Sequence, residues 1–245
     1  MLRNVCIVAK QEFRSLLKNW ITVICIIALV VAPIFVYSPI QSNSMWKEAF
    51  AAYQCNNGLV MIAIMIIPII AISIYYKDEV SEMPVLVFSQ PINGKAYAAG
   101  KFLGAYSYCL LFGVIENLVW MFMPLYFKQM PYSPLPFLKY FIIYSVPSFL
   151  AALAFTYFLE VFFSIKPLTI FLPMFLFMSL AGEKANKYGV IISSTYTSSL
   201  YAGNPLSQKD INYILANRIF ILTLSVVFII LAILKFSPKK LMDRR

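Results

Sequence analysis

Tyr76 to Lys101 reads YKDEVSEMPVLVFSQPINGKAYAAGK, a charged stretch between two long apolar runs. The stretch stands out because the rest of the 245-residue chain is so apolar: 61% of residues are hydrophobic, 12% are charged, and mean hydropathy is +0.79. Such a composition cannot give an ordinary globular domain a water-soluble surface, and it predicts an all-α polytopic membrane protein built as one domain over residues 1–245. On that reading the quoted stretch is a loop at a membrane face.

Working outward from it, about 20 apolar residues are needed to cross a hydrocarbon core of roughly 30 Å. Judged by this measure, six spans are expected, near Trp20 to Tyr37, Gly58 to Tyr76, Phe102 to Phe127, Leu138 to Phe163, Leu168 to Gly182 and Tyr213 to Leu234. The fifth is short, and either extends back through Ile165 or continues as a re-entrant piece toward Ile191 and Ile192. No small-residue cleavage site follows the first run, so that run is expected to stay as a helix.

Lys and Arg mark the cytoplasmic side of a membrane protein. With both termini cytoplasmic, that side holds 13 of the 20 basic residues and the other side seven. Residues 77–101 are therefore expected to face the cytoplasm of a cell-membrane protein. The same distribution accounts for the net charge of +10, because the basic residues sit in short segments beside apolar runs. This is the pattern of lipid headgroup contact, and no nucleic-acid partner is expected.

Before the first span, Leu2, Val5, Cys6, Ala9, Phe13, Leu16, Leu17 and Trp20 recur at three- and four-residue steps, with Arg3, Lys10, Arg14 and Lys18 between them. Two readings fit: an amphipathic helix over residues 1–19 lying in the membrane surface, or the polar start of a longer first span. Residues 183–212 contain GVIISSTYTSSLYAG, too polar to span and too aromatic for a plain linker. An extracellular or re-entrant segment is expected there, covered by protein or lining a cavity.

The chain has no histidine, which removes the commonest general base and metal ligand. Cys6, Cys25, Cys55 and Cys109 lack metal-site spacing and imply no disulfide framework. Around Gly94-Lys95, Ser89 stands where a phosphate loop needs its first glycine and Ala96 where it needs Ser or Thr. No catalytic residue, metal or cofactor is therefore assigned to this chain, and an enzyme is not expected.

Two intramembrane polar residues are candidates. Glu116 lies well inside the third span, where a carboxylate is costly enough to mark a functional site, and Arg218 in the last span is its candidate partner. The alternative for Glu116 is a helix-packing group. Glu116→Gln is expected to lower activity more than expression, measured per mole of purified protein. Glu160, near the end of its span, is expected to snorkel. Pro33, Pro68, Pro124, Pro147 and Pro173 fall within spans or at their ends, as hinges or as tolerated kinks. Gly100 and Gly104 form a GxxxG that permits close helix approach.

Within the loop, Lys77-Asp78-Glu79 leaves the second span and Ser81 can cap a short helix with Pro84 in its first turn. That helix would carry Met83, Leu86, Val87, Phe88 and Ser89 before Gln90-Pro91 stops it. Gly94 would then turn the chain, with Lys95 and Lys101 meeting the headgroups. A helix displayed this way either invites a partner or lies flat on the bilayer.

The stretch KDEVSEMPVLVFSQPINGKAYAAGKFLG resembles that of the type-2 permease family of ABC transporters, with its charged exit, its helix ending in a Ser-x-Pro turn and its Gly-Lys-Phe entry to the third span. Glu12 and Arg14 in the amphipathic start and the Asn217-Arg218 pair add to the likeness, and Met83-Pro84 departs from it, standing where the family usually has Gly-Thr. The resemblance implies a permease domain that pairs with a second permease copy or paralogue and with two cytosolic ATPase subunits, which bind ATP and Mg. It also implies that the loop forms a coupling helix, with Asp78, Glu79, Ser81, Glu82 and Met83 to Ser89 contacting the ATPase. Re-entrant helices between the fifth and sixth spans belong to the same pattern. The implied activity is export of an amphipathic, peptide or lipid-like substrate, and membrane lipids are further partners. The reading from another class is a membrane anchor or sensor subunit that recruits a cytosolic partner without transport.

Overall fold

The computed structural model describes residues 2–20, 24, 47–80, 93–126, 129–163, 170–173 and 206–236. These residues are helical or in short connections, with no strand among them. Five helices organise them: α1 (Leu2–Leu17), α2 (Lys47–Val80), α3 (Gly94–Tyr126), α4 (Pro134–Phe163) and α5 (Gln208–Lys235). Four are long and apolar enough to cross a membrane: α2 over Glu48–Ala71, α3, α4 and α5. Apart from residues 20, 24 and 170–173, which are helical, the first and fifth predicted spans lie outside the described residues, as do the 81–92 part of the loop and the 183–205 part of the polar segment.

Three boundaries differ from the expectation. Helix α2 begins at Lys47, eleven residues before the predicted span. Lys47 to Asn57 carries Lys, Glu, Gln and two Asn and reads as a connection, yet Ala51, Ala52, Tyr53 and Cys55 are buried with Trp120, Tyr132, Phe137, Tyr140 and Tyr144. Gly94 does not turn the chain; it opens α3, because Asn93 caps that helix, its side chain accepting from Lys95 N at 3.0 Å and its carbonyl from Tyr97 N at 3.0 Å. Helix α5 begins at Gln208, inside the segment expected to end at Asn212, since Ser207 caps it by accepting from Asp210 N at 3.2 Å.

Helix α1 packs mainly on α3. Val5, Val8, Glu12 and Leu16 are buried on this face. At about 100° per residue, the neighbouring arc carries Leu2, Cys6, Leu17 and Trp20, which are exposed, and the arc beyond it carries Arg3, Lys10, Arg14 and Lys18, also exposed. The helix thus has one face for protein, one apolar face and one basic face, which is the surface an interfacial helix presents to bilayer hydrocarbon and headgroups. Contact with α3 is close because Gly100 and Gly104 lie under α1: a Cβ at Gly100 would sit 2.6 Å from Val8 Cβ, and one at Gly104 would sit 2.7 Å from the Ala9 carbonyl oxygen.

Helix α4 is not α-helical throughout. Phe141 to Ser145 form a π-helical turn, with Val146 N–H bonding back to the Phe141 carbonyl. Pro147 follows one residue later, has no N–H, and would crowd the carbonyl four residues back in a regular helix, so the wider turn relieves it. Side chains satisfy the backbone around this break: Ser148 Oγ donates to the Tyr144 carbonyl at 2.6 Å, and Tyr106 Oη on α3 donates to the Val146 carbonyl at 3.1 Å.

Candidate functional site

The described spans meet at a buried polar layer beside this turn. Asn56 of α2 and Asn117 of α3 exchange side-chain hydrogen bonds, Asn56 Nδ2 to Asn117 Oδ1 at 2.9 Å and Asn117 Nδ2 to Asn56 Oδ1 at 3.3 Å. Ser145 of α4 donates to the same Asn56 Oδ1 at 2.7 Å. The remaining amide protons go to carbonyls one turn back in each helix, Ala52 at 2.9 Å and Gly113 at 2.8 Å. All three residues are buried. Gly113 keeps this arrangement open to Phe141, whose ring a Cβ at that position would overlap.

One turn along α4, Ser148 joins the last helix to the layer by accepting from Arg218 Nη1 at 2.9 Å. The Arg218 guanidinium also lies 5.6 Å from the centre of the Tyr144 ring, a cation–π distance. Glu116 is 3% exposed, and its Oε1 accepts from Trp120 Nε1 at 3.0 Å, one turn along the same helix. Its Oε2 has no hydrogen-bond partner among the described residues. Glu116 and Arg218 were read from sequence as partners, and the structure does not join them: among the described residues no ion pair links the two. Glu116 bonds to Trp120 and Arg218 to Ser148.

A second polar contact lies where α1 crosses α3. Lys101 Nζ is 3.5 Å from Glu12 Oε2, with the two side chains 5% and 11% exposed, and lies 5.3 Å from the centre of the Tyr97 ring. The expectation that Lys101 meets lipid headgroups is therefore corrected; Lys95, a turn and a half earlier on α3, is exposed. Glu160 does not snorkel either, being 2% exposed between helices. Asp78 and Glu79 fall in the last turn of α2, while Ser81, Glu82, Met83, Leu86, Val87, Phe88 and Ser89 lie outside the described residues.

Sequence reasoning missed Asn56, Asn117, Ser145 and Ser148. The signal was present for Asn117, an amide beside Glu116 within an apolar run, but Asn56 sat in a segment read as a connection. Asn56→Leu should lower stability by about 1–2 kcal/mol, since it strands Asn117 and Ser145 together. Its thermal midpoint in detergent should fall below that of wild type while Asn57→Ala, at the half-buried neighbouring position, leaves the midpoint unchanged.

Among the described residues no group of three or more Cys, Asp or Glu side chains is placed to hold a metal ion. The layer can hold helices in register and can offer one buried carboxylate and one buried guanidinium at separate positions. Comparison of the chain with protein-family models, with curated proteins and with solved structures found no match.

Proposed function

We propose that the chain is the membrane-spanning permease subunit of an ATP-binding-cassette transporter, exporting an amphipathic, peptide or lipid-like substrate with ATP hydrolysed by a separate cytosolic subunit. The observation that carries the reading is the joint at the start of α3. The helix begins directly after the charged loop, and its first three turns are locked to α1 through Gly100, Gly104 and the Glu12–Lys101 pair. A loop that receives force needs a stiff connection to the spans, and a clamped α3 supplies one.

On this reading the chain has six spans, both termini in the cytoplasm and a re-entrant segment over residues 183–212, and works as a pair of permease copies or paralogues in the cell membrane. Asp78, Glu79, Ser81, Glu82 and Met83 to Ser89 form the coupling helix. Co-purification with an ATPase and substrate-stimulated ATP hydrolysis in vesicles test it. A stable assembly that contains no ATPase would instead make the chain an anchor or sensor subunit. The double variant Glu79→Lys, Glu82→Lys should keep ATP hydrolysis but lose most of its coupling to transport, with unchanged helix content by circular dichroism; normal coupling would remove the loop from the transmission path.

A further inference from the structure

Helix α1 turns its cations away from the protein. Its one acid, Glu12, is on the buried side and pairs with Lys101, whereas Arg3, Lys10, Arg14 and Lys18 are all exposed. Among the described residues no carboxylate pairs with any of these four cations. At 100° per residue, Lys10 and Arg14 each stand roughly 160° from Glu12, with Arg3 between them, so this side of α1 is opposite α3. The exposed apolar arc of Leu2, Cys6 and Leu17 lies between the two sides. With that arc in hydrocarbon, the basic side points away from the bundle, along the plane of the headgroups.

Lys10, Arg14 and Lys18 line one open groove with Ile7, Gln11 and Ser15. Lys10 and Arg14 are one helical turn apart, and Lys18 follows in the turn that ends α1. Like charges at this spacing repel and destabilise a helix, so the row carries an electrostatic cost that a bound anion removes. Arg14 offers the planar fork that matches a phosphate, and each lysine a point charge. The apolar arc decides which anion fits. A soluble acidic partner would neutralise the row yet leave Leu2, Leu17 and Trp20 in water, whereas an anionic lipid surface covers both arcs at once.

We propose that the basic side of α1 is a docking edge for anionic phospholipid headgroups, and that their occupancy sets how firmly α1 clamps α3. The connection is short. Glu12 lies between Lys10 and Arg14 in the chain, so the turn that meets the phosphates is the turn that carries the buried ion pair. Phosphate at the edge relieves the repulsion along this turn and keeps it helical, which holds Glu12 against Lys101. Zwitterionic headgroups bring their own cation and relieve it less. The proposal rests on the permease reading only where it makes the clamp part of force transmission; lipid preference and clamp strength are measurable with no ATPase present.

Trp20 is the local reporter, close behind Lys18 in the chain and 70% exposed. The other tryptophans are Trp46 and Trp120, and Trp46→Phe, Trp120→Phe leaves Trp20 alone in the full chain. In phosphatidylcholine nanodiscs, a small fraction of brominated phosphatidylglycerol should quench Trp20 at least about threefold more than the same fraction of brominated phosphatidylcholine. One Lys or Arg near an anionic surface already shifts partition by roughly fivefold. High salt should erase most of the difference. The triple variant Lys10→Gln, Arg14→Gln, Lys18→Gln should abolish it, while Lys139→Gln with Lys209→Gln, at exposed positions on α4 and α5, should keep it. Hydrogen exchange along Leu2–Leu17 should be slower in discs with equimolar phosphatidylglycerol than in phosphatidylcholine alone, and equal in the two for the triple variant. Equal quenching by the two lipids, or a preference that survives in the triple variant, would overturn the docking edge. A lipid preference with equal exchange in both discs would overturn its hold on the clamp. Capture of an ATPase through the basic row, with no lipid preference, would give the face to a protein partner and overturn the assignment as well. Should the triple variant fail to fold, Lys10→Gln and Arg14→Gln should each lower the preference, and two unchanged single variants would overturn it. Loss of the lipid preference leaves ATPase co-purification untouched, so the two readings fail separately.

Discussion

Lys101→Met should destabilise the protein by about 3–5 kcal/mol, because it leaves the Glu12 carboxylate buried without its cation. Both side chains are almost wholly enclosed, at 5% and 11% exposure, so water cannot replace the lost partner as it would at a surface. Two further variants separate charge pairing from packing. Glu12→Met with Lys101→Met removes both charges and keeps similar volume, and should recover most of the loss. Glu12→Lys with Lys101→Glu keeps the pair in reverse and should recover part of it. Hydrogen exchange along Leu2–Leu17 is the direct measure: the single variant should exchange these amides fast, and the double Met variant should protect them again. Equal exchange in wild type and Lys101→Met would mean that apolar packing alone holds α1 on α3.

The spans that can be compared were legible because a run of apolar residues about 20 long carries its own signal, whatever it packs against. Gly58 to Tyr76, Phe102 to Phe127, Leu138 to Phe163 and Tyr213 to Leu234 all fall within α2 to α5, apart from the last residue of the second run. What hydropathy could not see is structure made by distant contacts. Lys101 looks like an interfacial cation until Glu12, 89 residues earlier in the chain, is brought beside it. Lys47 to Asn57 looks like a linker until the aromatic cluster of Tyr132, Phe137, Tyr140 and Tyr144 closes over Ala51, Ala52, Tyr53 and Cys55.

The polar layer shows the same limit at closer range. Charges within an apolar run attract notice, so Glu116 and Arg218 were singled out, and pairing them was the natural guess. Their observed partners are Trp120 and Ser148, which blend into a membrane helix because tryptophan and serine are common there. The π-helical turn at Phe141 to Ser145 leaves no trace in composition beyond Pro147 itself, and it is this turn that carries Ser145 and leads to Ser148, the α4 contacts of the layer.

Gly104→Ala should destabilise the packing of α1 by about 1–3 kcal/mol, the usual range for forcing a methyl into a full site. The reason is the identity of the obstacle. A Cβ at Gly104 meets the Ala9 carbonyl oxygen at 2.7 Å and Glu12 Cβ at 2.8 Å, so backbone and the root of a side chain stand in the way and no rotamer change clears them. Helix α1 must back off, and in doing so it draws Glu12 away from Lys101, which adds the loss of the ion pair to the clash. Gly58 is the internal control, with nothing within 4 Å of its would-be Cβ. There alanine should be neutral or stabilising by up to about 1 kcal/mol, from helix propensity. Thermal midpoints of the two variants in detergent should therefore move in opposite directions or, for Gly58→Ala, not at all. Adding the double Met exchange at positions 12 and 101 to Gly104→Ala should recover less stability than the same exchange recovers from Lys101→Met, because the clash with Ala9 remains after the charges are gone. Full recovery in that triple variant would show that the ion pair, and not the glycine contact, sets how closely α1 rides on α3.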